Sequence, residues 1–277
     1  MKKFNIKLMT VALVGMGLSS CQKSFDPKSY APPLDIGGYT SANAVASSNL
    51  VAHWSFDNNL IDSVSNTAGT ATGTTFNEGV KGDALQGALN SYVLTTPSSA
   101  VTGVTSFTTT EWINTPPPST GILGLFSLVN TTTFWGNLEI FVENGSTNDN
   151  GKLRIHISNG VDDKTFSVDN VTNLFNKWVN IGVSYDETSS TCKLYVNGSR
   201  VAQANVSGLS GPLHFNNTGK IVFGCVQFMT TPSQTSATGQ QSWASYLTGK
   251  LDEVRIYNKA LTDQEINAIV KLEGRGK

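Results

Sequence analysis

The sequence predicts an all-β protein, a two-sheet antiparallel β-sandwich with one short C-terminal helix. Short runs in which apolar and polar residues alternate, the period of a half-buried strand, recur along most of the chain. A strand pattern over residues 250–258 then leads into a helix start, where Thr262 is the N-cap and Glu265 completes a capping box. No stretch before Thr262 keeps a helical period over ten residues. Many short strands of this kind pack as two sheets around a shared core.

The strands follow one another in a regular order. Residues 50–57 (LVAHWSFD) predict the first strand, and the turn-rich residues 58–74 follow it. Residues 178–186 place Val179, Ile181 and Val183 on one side, and the dipeptide at 197–198, Asn-Gly, is a strong hairpin signal because both positions take positive φ. The other predicted strand regions are 81–87, 92–95, 106–114, 122–130 and 191–196.

The last strand carries several charged residues among apolar ones. Strict alternation predicts Asp252 on one face with Val254 and Ile256, and Glu253 with Arg255 on the other. A buried carboxylate at 252 is costly unless a hydrogen bond, a cation or a metal ion pairs with it.

Three separated stretches carry a family resemblance: W-x-F-D at 54–57, W-x-x-I-x-V-x-Y-D at 178–186 with L-Y-V-N-G at 194–198, and residues 249–266 (GKLDEVRIYNKALTDQEI). Together they resemble laminin-G-like, concanavalin-type jelly-roll domains, over about residues 49–272. The resemblance implies a jelly-roll sandwich. It does not give the activity, because lectins, enzymes and spacer domains share this fold.

The N-terminus indicates export. Residues 1–7 carry three Lys residues and no acid, and the apolar run at 8–18 is too short to span a bilayer. Leu-Ser-Ser-Cys at 18–21 resembles a bacterial lipobox, so we predict a lipoprotein signal over 1–21 with lipidation at Cys21; the alternative is an ordinary signal peptide. Residues 22–48 read as a flexible tether and 49–273 as the jelly-roll domain. The expected location is the cell envelope, with a lipid anchor in the outer membrane.

Composition narrows the possible partners. The chain has 19 Lys and Arg against 20 Asp and Glu, and removing the three Lys of the signal leaves 16 against 20, a net charge of about −4. No basic stripe occurs, so nucleic acid is not an expected partner. Cys192 and Cys225 are expected as two buried thiols, with a disulfide as the alternative.

Calcium is the expected cofactor. In jelly rolls that end in a similar D-x-V-R-V-Y strand, the matching Asp binds a structural Ca²⁺. The resemblance therefore implies Asp252 as a side-chain ligand, with Asp57 and Asn59 near the ion. Hard oxygen donors of this kind suit Ca²⁺. The alternative is that Asp252 pairs with Arg255 or a backbone amide.

A catalytic role is not expected. The glycosidases of this fold carry E-x-D-x-E on one strand, and here Phe141 stands between Glu139 and Glu143 where the central Asp belongs. The two Glu Cα atoms are ~13 Å apart along a strand, and alternation lets both side chains face solvent.

Non-catalytic glycan binding is the expected function. Sugar recognition combines aromatic faces with amides and hydroxyls, and two polar loops offer both, at 131–137 and 229–247. The candidate ligand-binding residues are Trp135, Asn137, Gln240, Gln241, Trp243 and Tyr246. The expected partner is a glycan or a glycosylated protein. The alternatives are a protein–protein module of a surface complex and, third, a diverged glycoside hydrolase.

Overall fold

A computed structural model describes residues 35–161 and 163–277. Within them the protein is mostly β, with two large antiparallel sheets and a short C-terminal helix, which confirms the predicted sandwich. The predicted signal, Cys21 and the tether up to residue 34 lie outside the described residues.

The first sheet, called here the helix-side sheet, has the strand order β15-β14-β13-β8-β18-β6-β5, and β1 pairs with β18. Its strands are β1 (Leu50–Trp54), β5 (Thr75–Glu78), β6 (Asp83–Gln86), β8 (Phe107–Asn114), β13 (Val179–Asp186), β14 (Thr191–Val196), β15 (Ser199–Ala204) and β18 (Lys250–Tyr257).

The second sheet, the loop-side sheet, has the order β12-β11-β10-β9-β16-β7-β4, and β17 joins β9 in parallel. Its strands are β4 (Thr70–Thr72), β7 (Tyr92–Thr95), β9 (Ile122–Asn130), β10 (Leu138–Asn144), β11 (Gly151–Ser158), β12 (Asp163–Val171), β16 (Thr218–Phe223) and β17 (Ala244–Ser245). A small hairpin, β2 (Ile61–Asp62) and β3 (Thr67–Ala68), stands apart, and helix α1 (Ser99–Thr102) is a single turn.

The core lies between the two sheets. Trp54 of β1 contacts Phe223 of β16 edge-on, with ring centroids 5.0 Å apart, so the first strand is pinned to the opposite sheet. The inward-facing residues predicted on β13, Val179, Ile181 and Val183, are all in this core. The predicted Asn197-Gly198 turn is confirmed by φ values of 50° and 75°.

Helix α2 (Asp263–Glu273) covers the outer face of the helix-side sheet. Its predicted capping box is present, with Thr262 accepting from the Glu265 backbone and Glu265 accepting from the Thr262 backbone. Below it, Arg255 donates to Glu253 and Glu273, at 2.6 Å each, and Trp112 donates to Glu273 at 2.7 Å. This buried ionic network attaches the helix to the sheet.

Strict alternation in β18 was the wrong expectation. The register with β8 shifts between Asp252 and Arg255, and Glu253 takes a φ of 47°. One extra residue in a bulge reverses the faces of the residues that follow. Asp252 and Arg255 therefore share the outer face with Trp112, whereas Val254 points into the core.

The folded domain begins earlier than the composition indicates. Residues 42–44 and 47–49 form 3-10 turns, and Ala42 and Val45 are buried. Asn43 accepts a hydrogen bond from Arg255 at 2.7 Å. The predicted tether thus includes residues that pack on the domain.

The two cysteines are separate buried thiols, as the sequence favoured. Cys192 lies in the core between the sheets, but Cys225 lies in a second apolar cluster on the outer face of the loop-side sheet. Alternation with Ile221 and Phe223, which both lie in the core, would place Cys225 there as well. It differs because β16 ends at Phe223 and Gly224 turns the chain with a φ of 91°.

Candidate functional site

An aromatic cluster covers the outer face of the loop-side sheet. Trp135 stacks on His156 with ring centroids 4.1 Å apart and on Phe141 at 5.6 Å. Trp243 lies 6.2 Å from Phe134 in a stacked arrangement. The rings come from β10, β11 and two loops, and we call them the aromatic platform: Phe134, Trp135, Phe141, His156, Phe228 and Trp243.

A buried glutamine holds the two loops of the platform together. The Gln227 amide donates to the backbone oxygens of Thr133 and Phe134 at 2.8 and 3.0 Å, and its oxygen accepts from the Asn130 backbone at 2.9 Å. Leu247 donates to the Gly224 backbone at 2.7 Å and closes the long connection at its base. The long connection is thus held by hydrogen bonds and covers the outer face of the loop-side sheet.

The two tryptophans differ in exposure. Trp243 is 39% exposed and is the most exposed tryptophan of the platform, whereas Trp135 is half-buried. Trp135 rests one face on Phe141 and His156. A fixed, partly solvent-exposed ring presents a flat apolar surface without the entropic cost of ordering it during binding.

Glu139 lies under this cover. The expectation that it faces solvent is wrong, because it is fully buried, with the Ser127 hydroxyl donating to it at 2.6 Å and the Gln227 backbone at 3.2 Å. Burial raises its pKa to about 7, against the lowering effect of these neutral donors. Glu143, four residues on, is half-buried and pairs with Arg154 at 3.0 Å. In this arrangement Glu139 cannot reach a substrate at the surface.

His156 and Asp163 form a hydrogen-bonded pair at the edge of the platform. His156 is cross-strand from Glu139, and its Nδ1 lies 2.7 Å from Asp163 Oδ2. Burial lowers the pKa of His156, although the bond to Asp163 acts in the opposite direction. Because a carboxylate only accepts, the neutral ring carries its proton on Nδ1 and donates it to Asp163. His156 Nε2 is buried with no partner among the described residues.

A pocket of about 200 Å³ opens between Trp135 and Asp163. Its wall combines two aromatic side chains with hydroxyl groups, a carboxylate and the highly exposed Val161. The lining residues are Thr133, Phe134, Trp135, Gly136, Ser158, Val161 and Asp163. The loop at 131–137 is recognisable in the sequence. No local pattern shows that distant strands bring four further residues to the same edge: Ser158, Asp163, His156 and Phe228.

The amide of Asn137, a predicted ligand-binding residue, is used inside the protein. The residue is fully buried, and its amide nitrogen donates to the backbone oxygens of Val129 and Asn216 at 3.1 and 2.9 Å. Tyr246 is also buried, and its hydroxyl donates to the Met229 backbone at 2.6 Å.

The two predicted glutamines stiffen the long connection. Gln240 donates to the Tyr246 hydroxyl at 2.9 Å and to the Met229 backbone at 3.0 Å. Gln241 is half-buried and donates to Thr238 at 2.8 Å. Both belong to the connection that carries Trp243.

The predicted calcium ligands lie around the turn at 79–83. Asp252 Oδ2 accepts from the Val80 and Lys81 backbones at 2.7 and 3.2 Å, and its Oδ1 is buried without a partner among the described residues. Burial raises the pKa of Asp252 to about 7. Asp57 Oδ1 accepts from the Asp83 backbone at 2.9 Å on the same turn.

A buried carboxylate oxygen without a hydrogen-bond partner is suited to bind a cation. Against this, the Asn59 amide oxygen is engaged by the Ile61 backbone at 3.0 Å. No group of three or more His, Cys, Asp or Glu side chains in the described ranges could hold a metal. The calcium site stays a prediction that rests on Asp252 and Asp57.

A larger groove, about 930 Å³, lies elsewhere, between residues 36–39, the turn after β14 and the start of α2. Its wall holds the half-buried ring of Tyr39, and two of its charged groups, Arg200 and Asp263, pair at 3.5 Å. It lacks the tryptophan faces that mark the aromatic platform.

The sequence model of the concanavalin A-like lectin/glucanases superfamily matches residues 86–267, more than half of the chain. The chain belongs to this superfamily. The matched range includes the whole aromatic platform. A search of curated proteins found no match.

Similar folds occur in solved domains of a bacterial arabinanase and of botulinum neurotoxins. Domain 4 of the extracellular arabinanase AbnA from Geobacillus stearothermophilus, a GH43 enzyme, solved with arabinotriose, has a TM-score of 0.53 at 19% identity, covering 80% of this chain and 98% of that domain. The botulinum neurotoxin type G receptor-binding domain has a TM-score of 0.56 at 14% identity, covering 81% and 51%.

The serotype D ligand-binding domain, solved with N-acetylneuraminic acid, has a TM-score of 0.59 at 14% identity, covering 83% of this chain and 52% of that one. The chain thus spans about half the length of the neurotoxin domains. At these identities the likeness shows the fold alone. No helix in the described part of the chain is both long and apolar enough to span a membrane.

Proposed function

We propose that the protein is a non-catalytic glycan-binding module whose binding surface is the aromatic platform. The observation that carries this proposal is the pair of tryptophans from two separate loops, Trp135 and Trp243, fixed beside a pocket with hydroxyl and carboxylate groups. Sugars present apolar C–H faces and many hydroxyls, and this combination complements both. The superfamily includes lectins, and one structure of the same fold was solved with arabinotriose.

The burial of Glu139 supports a non-enzymatic role. A general acid must come within hydrogen-bond reach of the bond that it protonates, and this carboxylate is fully buried and accepts from the Gln227 backbone. If the protein hydrolysed a β-glucan or a similar polymer and Glu139→Gln abolished the activity, the hydrolase alternative would replace this proposal.

A glycan array with the full chain tests the binding function. We expect Trp135→Ala and Trp243→Ala each to lower the affinity for a bound glycan at least tenfold. Trp178→Ala is the matched control, because Trp178 is a half-buried tryptophan that precedes β13 on the other sheet. Unchanged binding by both platform variants would reject the platform as the site.

The protein–protein module remains the alternative. Under this alternative, no glycan in the array binds. The protein still captures a partner protein from the cell surface after that partner has been deglycosylated. Binding that is lost when the partner is deglycosylated supports the glycan proposal instead.

We also propose that Cys21 carries a lipid that anchors the domain to the outer membrane, on the strength of the lipobox-like residues 18–21. The domain would then be anchored to the membrane rather than span it. Mass spectrometry of the mature N-terminus tests this, and Cys21→Ser should release the protein from the membrane fraction. A mature chain that starts at an unmodified residue rejects the anchor.

A structural calcium ion is the remaining proposal, supported by the unpaired oxygen of Asp252. The carboxylates of Asp252 and Asp57 would hold it and tie the turn at 79–83 to β18. Thermal melting with and without a chelator tests it, with Asp252→Asn as the variant that loses the response. A midpoint that the chelator does not change rejects the ion.

A further inference from the structure

The pocket beside Trp135 is small. Its volume of about 200 Å³ is below the about 300–1,000 Å³ of sites for drug-sized molecules. It therefore fits one sugar residue, with the rest of a glycan extending over the exposed ring of Trp243. A terminal or branching residue reaches such a pocket more easily than an internal one.

The polar groups of the pocket are acceptors and hydroxyls. Asp163 is the one ionisable side chain among the described lining residues, and Thr133 and Ser158 add hydroxyls. A carboxylate accepts hydrogen bonds at both oxygens and donates none, so it suits the hydroxyl groups of a sugar. The same group repels a ligand carboxylate at short range.

Among the described residues that line the pocket, no Lys or Arg compensates this charge. Arg154, on the adjacent strand β11, pairs with Glu143 at 3.0 Å and lies over the Phe141 ring at 5.8 Å. Glu139 lies behind the pocket with neutral hydrogen-bond donors. The surroundings of the pocket thus disfavour an acidic sugar.

His156 holds the Asp163 carboxylate in place. It holds Asp163 Oδ2 at 2.7 Å while Trp135 stacks on its ring at 4.1 Å. The stacking face and the acceptor are therefore set relative to each other by one buried side chain. His156 acts as a positioning residue and does not line the pocket.

We propose that this pocket recognises a single neutral sugar residue, stacked on Trp135 with its hydroxyls donating to Asp163, and that it excludes sialic acids and uronic acids. This inference rests on the glycan-binding function proposed above and specifies its ligand class. It separates the protein from the serotype D neurotoxin domain of the same fold that was solved with N-acetylneuraminic acid.

The test uses an array of neutral oligosaccharides, arabinotriose among them, each set beside sialylated and uronic-acid-containing oligosaccharides. We expect the full wild-type chain to bind neutral members and none of the acidic ones. Asp163→Asn should lower the affinity for the best neutral ligand at least tenfold. Asp169→Asn is the matched control on the same strand, because Asp169 pairs with Lys152 at 2.9 Å outside the pocket.

Thermal midpoints of both variants, compared with wild type, show that the fold is retained. Asp163→Lys should admit acidic glycans that the wild type rejects. A wild type that prefers acidic glycans overturns the inference. So does an Asp163→Asn variant whose affinity falls less than tenfold while Trp135→Ala still abolishes binding, and in that case the proposed function stands. If no glycan of either class binds, both proposals fall.

Discussion

The two outer faces of the sandwich are covered in different ways. On the helix-side sheet, α2 closes over charges that pair with one another, and Arg255 bridges Glu253 and Glu273 with no exposure. On the loop-side sheet, long loops cover a buried acid that has only neutral donors, and they leave Trp243 exposed above it.

The two acids show the consequence of this difference. Burial raises the pKa of both Glu139 and Glu253, but the hydrogen bond with His53 and the charge of Arg255 outweigh it at Glu253 and lower its pKa to about 2. Glu139 has no such cation, and its pKa is about 7. A face whose charges are paired with one another leaves few groups free to contact a ligand, while a face with exposed rings is available to one.

The largest expected effect is on the helix-side face. Arg255→Leu leaves Glu253 and Glu273 buried without their cation, which costs about 3–5 kcal/mol of unfolding free energy. Urea denaturation at pH 7 measures it. The control is Arg200→Leu, an exposed residue whose ion pair with Asp263 is worth about 1 kcal/mol or less. Equal losses in the two variants would show that the buried network contributes no more than a surface pair.

The second expected effect is the pH dependence of stability that comes from Glu139, the buried acid under the loop-side cover. The pKa of Glu139 is higher in the folded protein, about 7, than in the unfolded chain. Its contribution to stability is therefore full below about pH 4.5 and is lost as the pH rises to about 7. The loss is about 1.4 kcal/mol per pH unit and about 3 kcal/mol in total.

Glu139→Gln should lack this pH dependence, so the difference in unfolding free energy between variant and wild type should change by about 3 kcal/mol in denaturation series from pH 4.5 to 8. Ser127→Ala, which removes a donor at 2.6 Å, should extend the loss to higher pH. A Glu139→Gln variant with the wild-type slope would mean that Glu139 is ionised throughout and that the cover is open to water.

The third expected effect is a loss of stability when the N-cap of α2 is removed. Thr262→Ala removes the hydroxyl that accepts from the Glu265 backbone, at a cost of about 1 kcal/mol. Thermal denaturation measures the change, and Thr262→Ser should restore most of it. No loss in the alanine variant would indicate that packing alone fixes the helix.

The smallest expected effect on stability is at Val161, on the rim of the pocket, where ligand binding and folding can be measured separately. Val161 is 87% exposed, so Val161→Ser should change the unfolding free energy by no more than about 0.5 kcal/mol. Its effect on glycan affinity reports contact with the ligand. A loss of stability well above this range would show that the rim is part of the packed fold.

Much of the architecture could be predicted from local patterns. The alternating run that became β13, the turn at Asn197-Gly198 and the capping box at Thr262 depend on neighbours within a few residues, so the sequence shows them directly. The bulge at Glu253 could not be predicted, because it depends on the pairing of β18 with β8.

The candidate site was predicted only in part. Trp135 and Trp243 were recognisable as aromatic residues in polar loops, but Asp163 and His156 join them only through the pairing of β10, β11 and β12. Asn137 looked equally suitable in sequence, and its burial is a property of the packed loops.

By itself the sequence determined the alternating strands, the tight turns and the capped final helix, because each arises from short-range sterics and hydrogen bonding. Only the tertiary structure decided which polar side chains are buried and which rings stay exposed. Those outcomes depend on the long connections that close over each outer face, and on residues far apart in the chain that compete for the same space.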